Sequence, residues 1–168
     1  MQNYYRVDPF ERPVGSIVTP SVAFFDSLKP PEIEVEEIFE RVRPSSAPAR
    51  RGALFLFVQE RDARRWAARD RAQRLYEVSV SPSQSVLHVD WAWLGQARRD
   101  WPDQSTITSS ATQYWSGVLT RSPVAECLTG EGTVVREIEM VAEDYDAVAR
   151  DTIGTTAGDI ASQFRLGF

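Results

Sequence analysis

Two residues far apart in the chain carry the types that anion chemistry needs. Arg6 interrupts the aromatic and β-branched run NYYRV, and Glu126 opens the apolar run ECL. A guanidinium turned inward from a strand is costly to bury unless an anion meets it. In a cleft, its planar fork can hold a phosphate or a carboxylate through two hydrogen bonds. On the solvent face it is one more exposed arginine, the common situation. A carboxylate at the start of a strand can face a cleft while Cys127 and Leu128 anchor it; alternatively, Glu126 is a surface acid paired with Arg121 or Arg136.

Other candidates are weaker. His88 and Asp90 alternate with Val89 and share a strand face, as an acid–base pair or two ligands short of a metal site. Tyr114 and Trp115 offer a stacking surface to a flat ring, or ordinary core. Trp91 and Trp93 read as core, and Glu131 as a solvated turn residue. From Arg61 to Arg74 there are six arginines against two acids. That stretch can touch a polyanion, or it is the solvated back of a helix whose Trp66 packs inward.

Composition narrows the classes. The 168 residues suffice for one domain with a core, and the net charge of -5 does not suit nucleic-acid binding by the molecule as a whole. A single cysteine rules out an intrachain disulfide and a thiolate zinc site, and no metal is expected. His88 is the only histidine, and no G-x-S-x-G turn is present. The glycine patterns of dinucleotide-binding and P-loop turns are absent. No apolar run is long enough to span a membrane, and no basic-then-apolar leader is seen. The expectation is a cytoplasmic protein, or one delivered into the cytoplasm of a target cell, with no membrane partner.

The elements that must position these residues follow from pattern. NYYRV is a strand, and DPFERPVGSIV a loop. SVAFFDSL stops at KPP. EIEVEEIFERVR is an amphipathic helix on Ile33, Ile38, Phe39 and Val42. ALFLFV is a buried strand. QERDARRWAARDRAQR is a helix with Ala63, Trp66 and Ala67 on one face. LYEVSVS alternates as a half-buried strand. VLHVDWAWL is a further apolar stretch, followed by a loop or ragged helix, then ATQYWSG as a helix. AECLTGEGTVVREIEMV reads as two short strands about a Gly-Glu-Gly turn, or one bent strand. The class is α+β, with helices clustered early and strands later. The boundaries are one domain over 1–141 and a helical or partly disordered extension over 142–168.

Taken in order, these pieces resemble a bacterial ADP-ribosyltransferase-like domain over residues 3–140. YYRV is similar to the first strand of arginine-type ADP-ribosylating toxins. GALFLF with ERDARRWAA resembles the middle strand and helix of that superfamily. LYEVSVSP and VLHVDWAWL resemble its next hairpin-like pair. AECLTGEGTVVREI resembles the strand that opens with the catalytic glutamate. The small antibiotic-modifying members have a similar layout.

The resemblance implies two packed, twisted β-sheets with short flanking helices and an NAD cleft between them. It implies an NAD-dependent glycosyl transfer in which Glu126 is catalytic and Arg6 holds the pyrophosphate or a ribose. Tyr5, Phe55, Tyr76 or Trp115 would sandwich the nicotinamide. The acceptor is open (protein, nucleic acid or small molecule), and an antitoxin or immunity protein would be a natural partner of a toxin, effector or defence component. Two departures stand out. Phe55, Leu56 and Phe57 occupy the place of the Ser-Thr-Ser signature. Val124 replaces the Gln or Glu that arginine-modifying members carry two residues before the catalytic Glu, which points away from protein arginine as acceptor. The alternatives are an inactive member that binds without turnover, or a nucleic-acid module built on Arg61–Arg74.

Overall fold

The computed structural model describes residues 2–21 and 23–149. Its strands are β1 (Asn3–Asp8), β2 (Ile17–Val18), β3 (Leu54–Phe57), β4 (Arg74–Ser79), β5 (Leu87–Asp90), β6 (Ala125–Thr129) and β7 (Gly132–Ile138). They pair antiparallel in the order β2-β7-β4-β1-β3-β6-β5. The helices are α1 (Ala23–Asp26), α2 (Pro30–Arg41), α3 (Glu60–Ala67), α4 (Ala92–Asp100) and α5 (Gln104–Trp115), with a 3₁₀ turn at Arg50–Gly52. Residues 142–149 are also helical. The class is α+β. Among the described residues, no helix is long and apolar enough to cross a membrane.

The expected two sheets are hydrogen-bonded as one, but that one sheet doubles back on itself. Only Gly130 and Glu131 link β6 to β7, although three strands lie between them in the sheet. Such a link spans at most roughly 11 Å, whereas four strand spacings in a flat sheet are about 19 Å. The ends of β6 and β7 must therefore approach one another. A Cβ built on Gly132 of β7 would lie 3.7 Å from Leu54 Cδ2 on β3 and 2.4 Å from Val78 Cγ1. Tyr4, Leu54, Leu56, Tyr76, Val78, Cys127 and Val134 form the apolar filling of the fold. The expected layers are thus two halves of a curled sheet, and β6 and β7 are not a hairpin.

Four further expectations change. β4 pairs with β1 and β7, and β5 with β6, so these two strands do not form the hairpin-like pair. β4 is buried on both faces, because α3 covers the side away from the filling: Ala63, Leu75, Phe57 and Ile138 pack together there. Trp91 and Trp93 are not strand residues; β5 ends at Asp90, Trp91 precedes α4, and Trp93 lies within it. The helices are spread through the chain rather than clustered early.

α2 opens on Pro30 and Pro31, where missing amide donors cost nothing. Its Glu32 carboxylate accepts from the Lys29 N–H at 3.1 Å. Its buried face is Val35, Glu36, Ile38 and Phe39, while Ile33 is exposed. That face packs with α4 and α5 against Val89 and Leu128 of the sheet. The helix after residue 141 docks on α3 through Asp144 and Arg64 at 2.8 Å. The remainder of the expected extension lies outside the described residues.

Candidate functional site

β1 and β3 touch at a single register pair, Tyr5 with Phe57. Beyond it β1 runs on beside β4 to Asp8, and β3 runs back beside β6 to Leu54. The two strands diverge, and a cavity of about 640 Å³ has walls from both. Its lining includes Arg6, Arg12, Arg50 and Arg98, the carboxylates of Asp8 and Glu126, and the rings of Phe25, Phe55, Phe57, Trp66 and Trp91. Four guanidinium groups share this recess with two carboxylates, and Glu36 and Glu32 pair with Arg50 and Arg98 behind the lining.

Arg6 occupies the split. Its Nη1 donates to the Phe55 carbonyl at 3.1 Å, and its Nε lies 3.7 Å from Asp8 Oδ2 without a hydrogen bond of its own. Burial lowers its pKa from the usual arginine range, and Asp8 opposes that. Asp8 is itself well held, accepting from the Phe10 N–H at 2.9 Å and from Arg12 at 3.0 Å.

Glu126 follows Ala125 at the start of β6, paired in register with Phe57 and Val89. It is 7% exposed, and its Oε2 is buried without a hydrogen-bond partner. Burial pushes its carboxyl up to about 7; Arg50 and Arg6 pull against that shift, while Glu36 and Asp90 reinforce it.

Arg50 is the most constrained cation of the site. It is 2% exposed. Its Nε donates to Glu36 at 2.8 Å and its Nη1 to the Tyr114 hydroxyl. The guanidinium carbon sits 4.9 Å from the Phe55 ring centre and 5.0 Å from that of Tyr114. Burial opposes its charge, but Tyr114 and Glu36 outweigh it and hold the group above the ordinary arginine range.

The aromatic side chains of the wall fall in two groups. Trp66 meets Trp91 edge-on at 5.3 Å between centres and tilts against Phe57 at 6.0 Å; Phe25 lies 6.3 Å from Phe55. Arg50 lies over the Phe55 ring and Arg69 over Trp66, so aromatic and cationic groups adjoin at the cavity, a combination suited to a ligand that carries both flat rings and anionic charge.

Of the residues singled out in the sequence, Arg6, Glu126 and Phe55 come together. Tyr5, Tyr76 and Trp115 do not line the cavity. Tyr5 packs with the Phe57–Leu75 cluster beside α3. Tyr76 is fully buried, and its hydroxyl braces the loop at the cavity's edge, donating to the Phe10 carbonyl and accepting from the Arg12 N–H, each at 3.1 Å. Trp115 donates its indole N–H to the Phe39 carbonyl at 2.7 Å within the helical layer. Tyr114 does not stack on a ligand ring but anchors Arg50. Asp90 is structural, accepting three backbone N–H bonds, and His88 meets the Tyr4 hydroxyl at 3.2 Å. No cluster of metal-ligating side chains occurs among the described residues.

The arginine-rich stretch is shorter and more engaged than its composition suggests. Arg64 bonds Glu60 and Asp144, each at 2.8 Å, and Arg74 pairs with Glu137 at 3.0 Å. Arg69 lies over Trp66 at 4.4 Å and Arg71 over Tyr145 at 5.0 Å.

Arg50, Arg98, Trp91 and Phe25 were not legible as site residues. Arg50 sits in a polar, proline-bearing loop with no periodicity to read. The available signal was Glu36, an acid on the apolar face of α2, which calls for a buried cation. No protein-family model and no curated protein matches the chain.

Proposed function

We propose that the chain is an NAD-dependent ADP-ribosyltransferase, a glycosyltransferase of the bacterial toxin, effector or defence kind. The observation that carries this reading is the convergence of Arg6 and Glu126 on one cavity from opposite ends of the sequence. Its volume falls within the range of small-molecule sites. Its contents suit the two halves of a dinucleotide: guanidinium groups for the pyrophosphate, and the faces of Phe55, Trp66 and Trp91 for planar rings.

The chemistry asked of the site is cleavage of the bond between nicotinamide and ribose. The electron pair of that bond leaves with nicotinamide, and positive charge builds on the ribose. The Glu126 carboxylate stabilises that charge as it develops, so it favours the transition state over bound substrate. The acceptor then supplies an electron pair to the ribosyl carbon and loses a proton. Arg6 holds the anionic portion so that the reacting bond stays beside the carboxylate. Val124, two residues before Glu126, packs among apolar side chains and provides no polar group to receive a protein arginine, which favours another acceptor class.

The test is release of nicotinamide from labelled NAD. Wild type is expected to release it, and Glu126→Gln to lose turnover far more than affinity. Equal release by both proteins removes Glu126 from the mechanism. A thermal shift with NAD but no release favours an inactive binding module. Salt-sensitive retention of oligonucleotides, lost in Arg64→Ala/Arg65→Ala, favours the nucleic-acid reading.

A further inference from the structure

Among the described rings that line the cavity, Phe10 alone is exposed, at 66%. It belongs to no apolar cluster of the core. Single exposed apolar side chains are ordinary at protein surfaces. What sets this one apart is the backbone that carries it. The Phe10 N–H donates to Asp8 Oδ1 at 2.9 Å, and its carbonyl accepts from the Tyr76 hydroxyl at 3.1 Å. The same hydroxyl accepts from the Arg12 N–H at 3.1 Å. Asp8 and Tyr76 are both buried. The Arg12 guanidinium carbon lies 5.8 Å from the Phe10 ring centre, and Asp8 Oδ2 holds that guanidinium at 3.0 and 3.2 Å. Two buried side chains therefore fix a loop whose ring packs in no core cluster. A flat ligand ring that stacks on such a prepositioned surface removes apolar area from water at little ordering cost.

The register places this ring relative to the other candidate residues. β1 and β3 part after Tyr5 and Phe57, and Glu126 is paired with Phe57, level with the closed end of the split. Phe57, Trp66 and Trp91 adjoin there. Arg6 follows Tyr5 directly. From Tyr5 to Asp8, β1 extends about 10 Å, and Phe10 stands beyond that, at the open end. With a nicotinamide ribose beside Glu126 and the phosphates beside Arg6, the second ring of a dinucleotide runs out toward Phe10. Asp8 balances the charge of Arg12 at 3.0 Å. What the open end offers is a ring face rather than a net charge.

We propose that Phe10 is a stacking platform for the purine ring of a nucleotide whose phosphates enter the cavity. This rests on the reading of the cavity as a dinucleotide site and adds a ring-binding position outside its inner aromatic groups.

The test is calorimetric titration with ADP, which carries the purine and two phosphates but no bond to nicotinamide. Phe10→Ala keeps the backbone groups of the brace and is expected to unfold at the wild-type urea midpoint. It is expected to weaken ADP binding about tenfold or more. Phe10→Leu keeps apolar bulk without a π face and is expected to lose most of the same affinity, whereas Phe10→Tyr is expected to retain it. Inorganic pyrophosphate, which has no ring, is expected to behave alike with wild type and Phe10→Ala. An ADP affinity unchanged in Phe10→Ala or in Phe10→Leu overturns the proposal. So does an equal loss for pyrophosphate, or a wild type that binds no ADP. Nicotinamide release is measured separately. Its absence in wild type, beside ADP binding that depends on Phe10, ends the enzymatic reading and leaves the platform standing. Release by a protein whose ADP affinity is indifferent to Phe10 does the reverse.

Discussion

Arg6 and Phe55 meet where their strands part, the guanidinium Nη1 donating to the carbonyl oxygen at 3.1 Å. In an unbroken ladder, that side of β3 would bond the backbone of β1. The ladder stops at Tyr5 and Phe57, and a side chain takes the place of the missing strand. The same guanidinium thus props the cleft and presents a buried, unbonded Nε beside it.

This dual role separates two variants. Arg6→Met leaves the Phe55 carbonyl without its partner and should cost about 1–3 kcal/mol in urea denaturation. Arg6→Lys retains a charge but loses the fork. It should lose less stability than Arg6→Met while KM for NAD rises about tenfold, equivalent to about 1.4 kcal/mol. If both variants weaken the fold and neither alters KM, Arg6 is a strut and does not hold substrate.

A buried Glu126 ties stability to pH. Burial raises its carboxyl from 4.5 to about 7. Between those values the folded protein holds a proton that the unfolded chain has released. Stability therefore falls as pH rises through that window, and remains at the lower level above it. The cost at pH 8 is on the order of 3 kcal/mol. Glu126→Gln should accordingly be more stable than wild type at pH 8 and gain little near pH 4. Wild-type turnover should rise as pH passes through about 7, since the ionised carboxylate is the working form. Urea midpoints across pH for the two proteins check the first point; initial rates of nicotinamide release check the second. Parallel stability profiles would show that the carboxylate does not titrate in this window.

Gly132 reports on the curl of the sheet. An added Cβ would meet Val78 Cγ1 at 2.4 Å, closer than packed carbon atoms tolerate. Gly132→Ala should cost about 1–3 kcal/mol by overpacking. Val78→Ala opens a gap at the same point and is destabilising alone. The double variant should recover part of the loss, with a coupling energy of roughly 0.5 kcal/mol or more in a double-mutant cycle. Strict additivity would mean that the two positions do not touch.

These sites also show what sequence alone could reveal. The strand NYYRV, the buried run at β3 and the apolar faces of α2 and α3 were legible because local period and strand length settle them. Arg6 and Glu126 were each legible as candidates, since each is a charge embedded in an apolar run, but only the family resemblance brought them to one cleft. The ring identities were not legible. Tyr5, Tyr76 and Trp115 look as suitable as Phe55 until the curl of the sheet decides which faces meet the cleft. Trp91 reads as strand because Leu87, Val89, Trp91 and Trp93 alternate with other side chains through that stretch. The break after Asp90 comes from that carboxylate collecting N–H groups as distant in sequence as Thr120 and Val124. A hydrogen-bond set of that kind has no local signature.

Asp90 joins the end of β5 to the segment that leads into Glu126. Its carboxylate accepts from Ala92 at 3.0 Å, Val124 at 2.9 Å and Thr120 at 2.8 Å. It thereby fixes the start of α4 and the segment leading into Glu126. Asp90→Asn replaces one acceptor oxygen with a donor, so at least one of those amides faces an N–H instead. The expected loss is on the order of 2–4 kcal/mol in urea. The substitution also removes a negative charge that opposes ionisation of Glu126. In whatever fraction remains folded, the pH at which Glu126 titrates should therefore fall, and the turnover profile should shift to lower pH with it. A destabilised protein with an unmoved profile would confine Asp90 to holding the backbone.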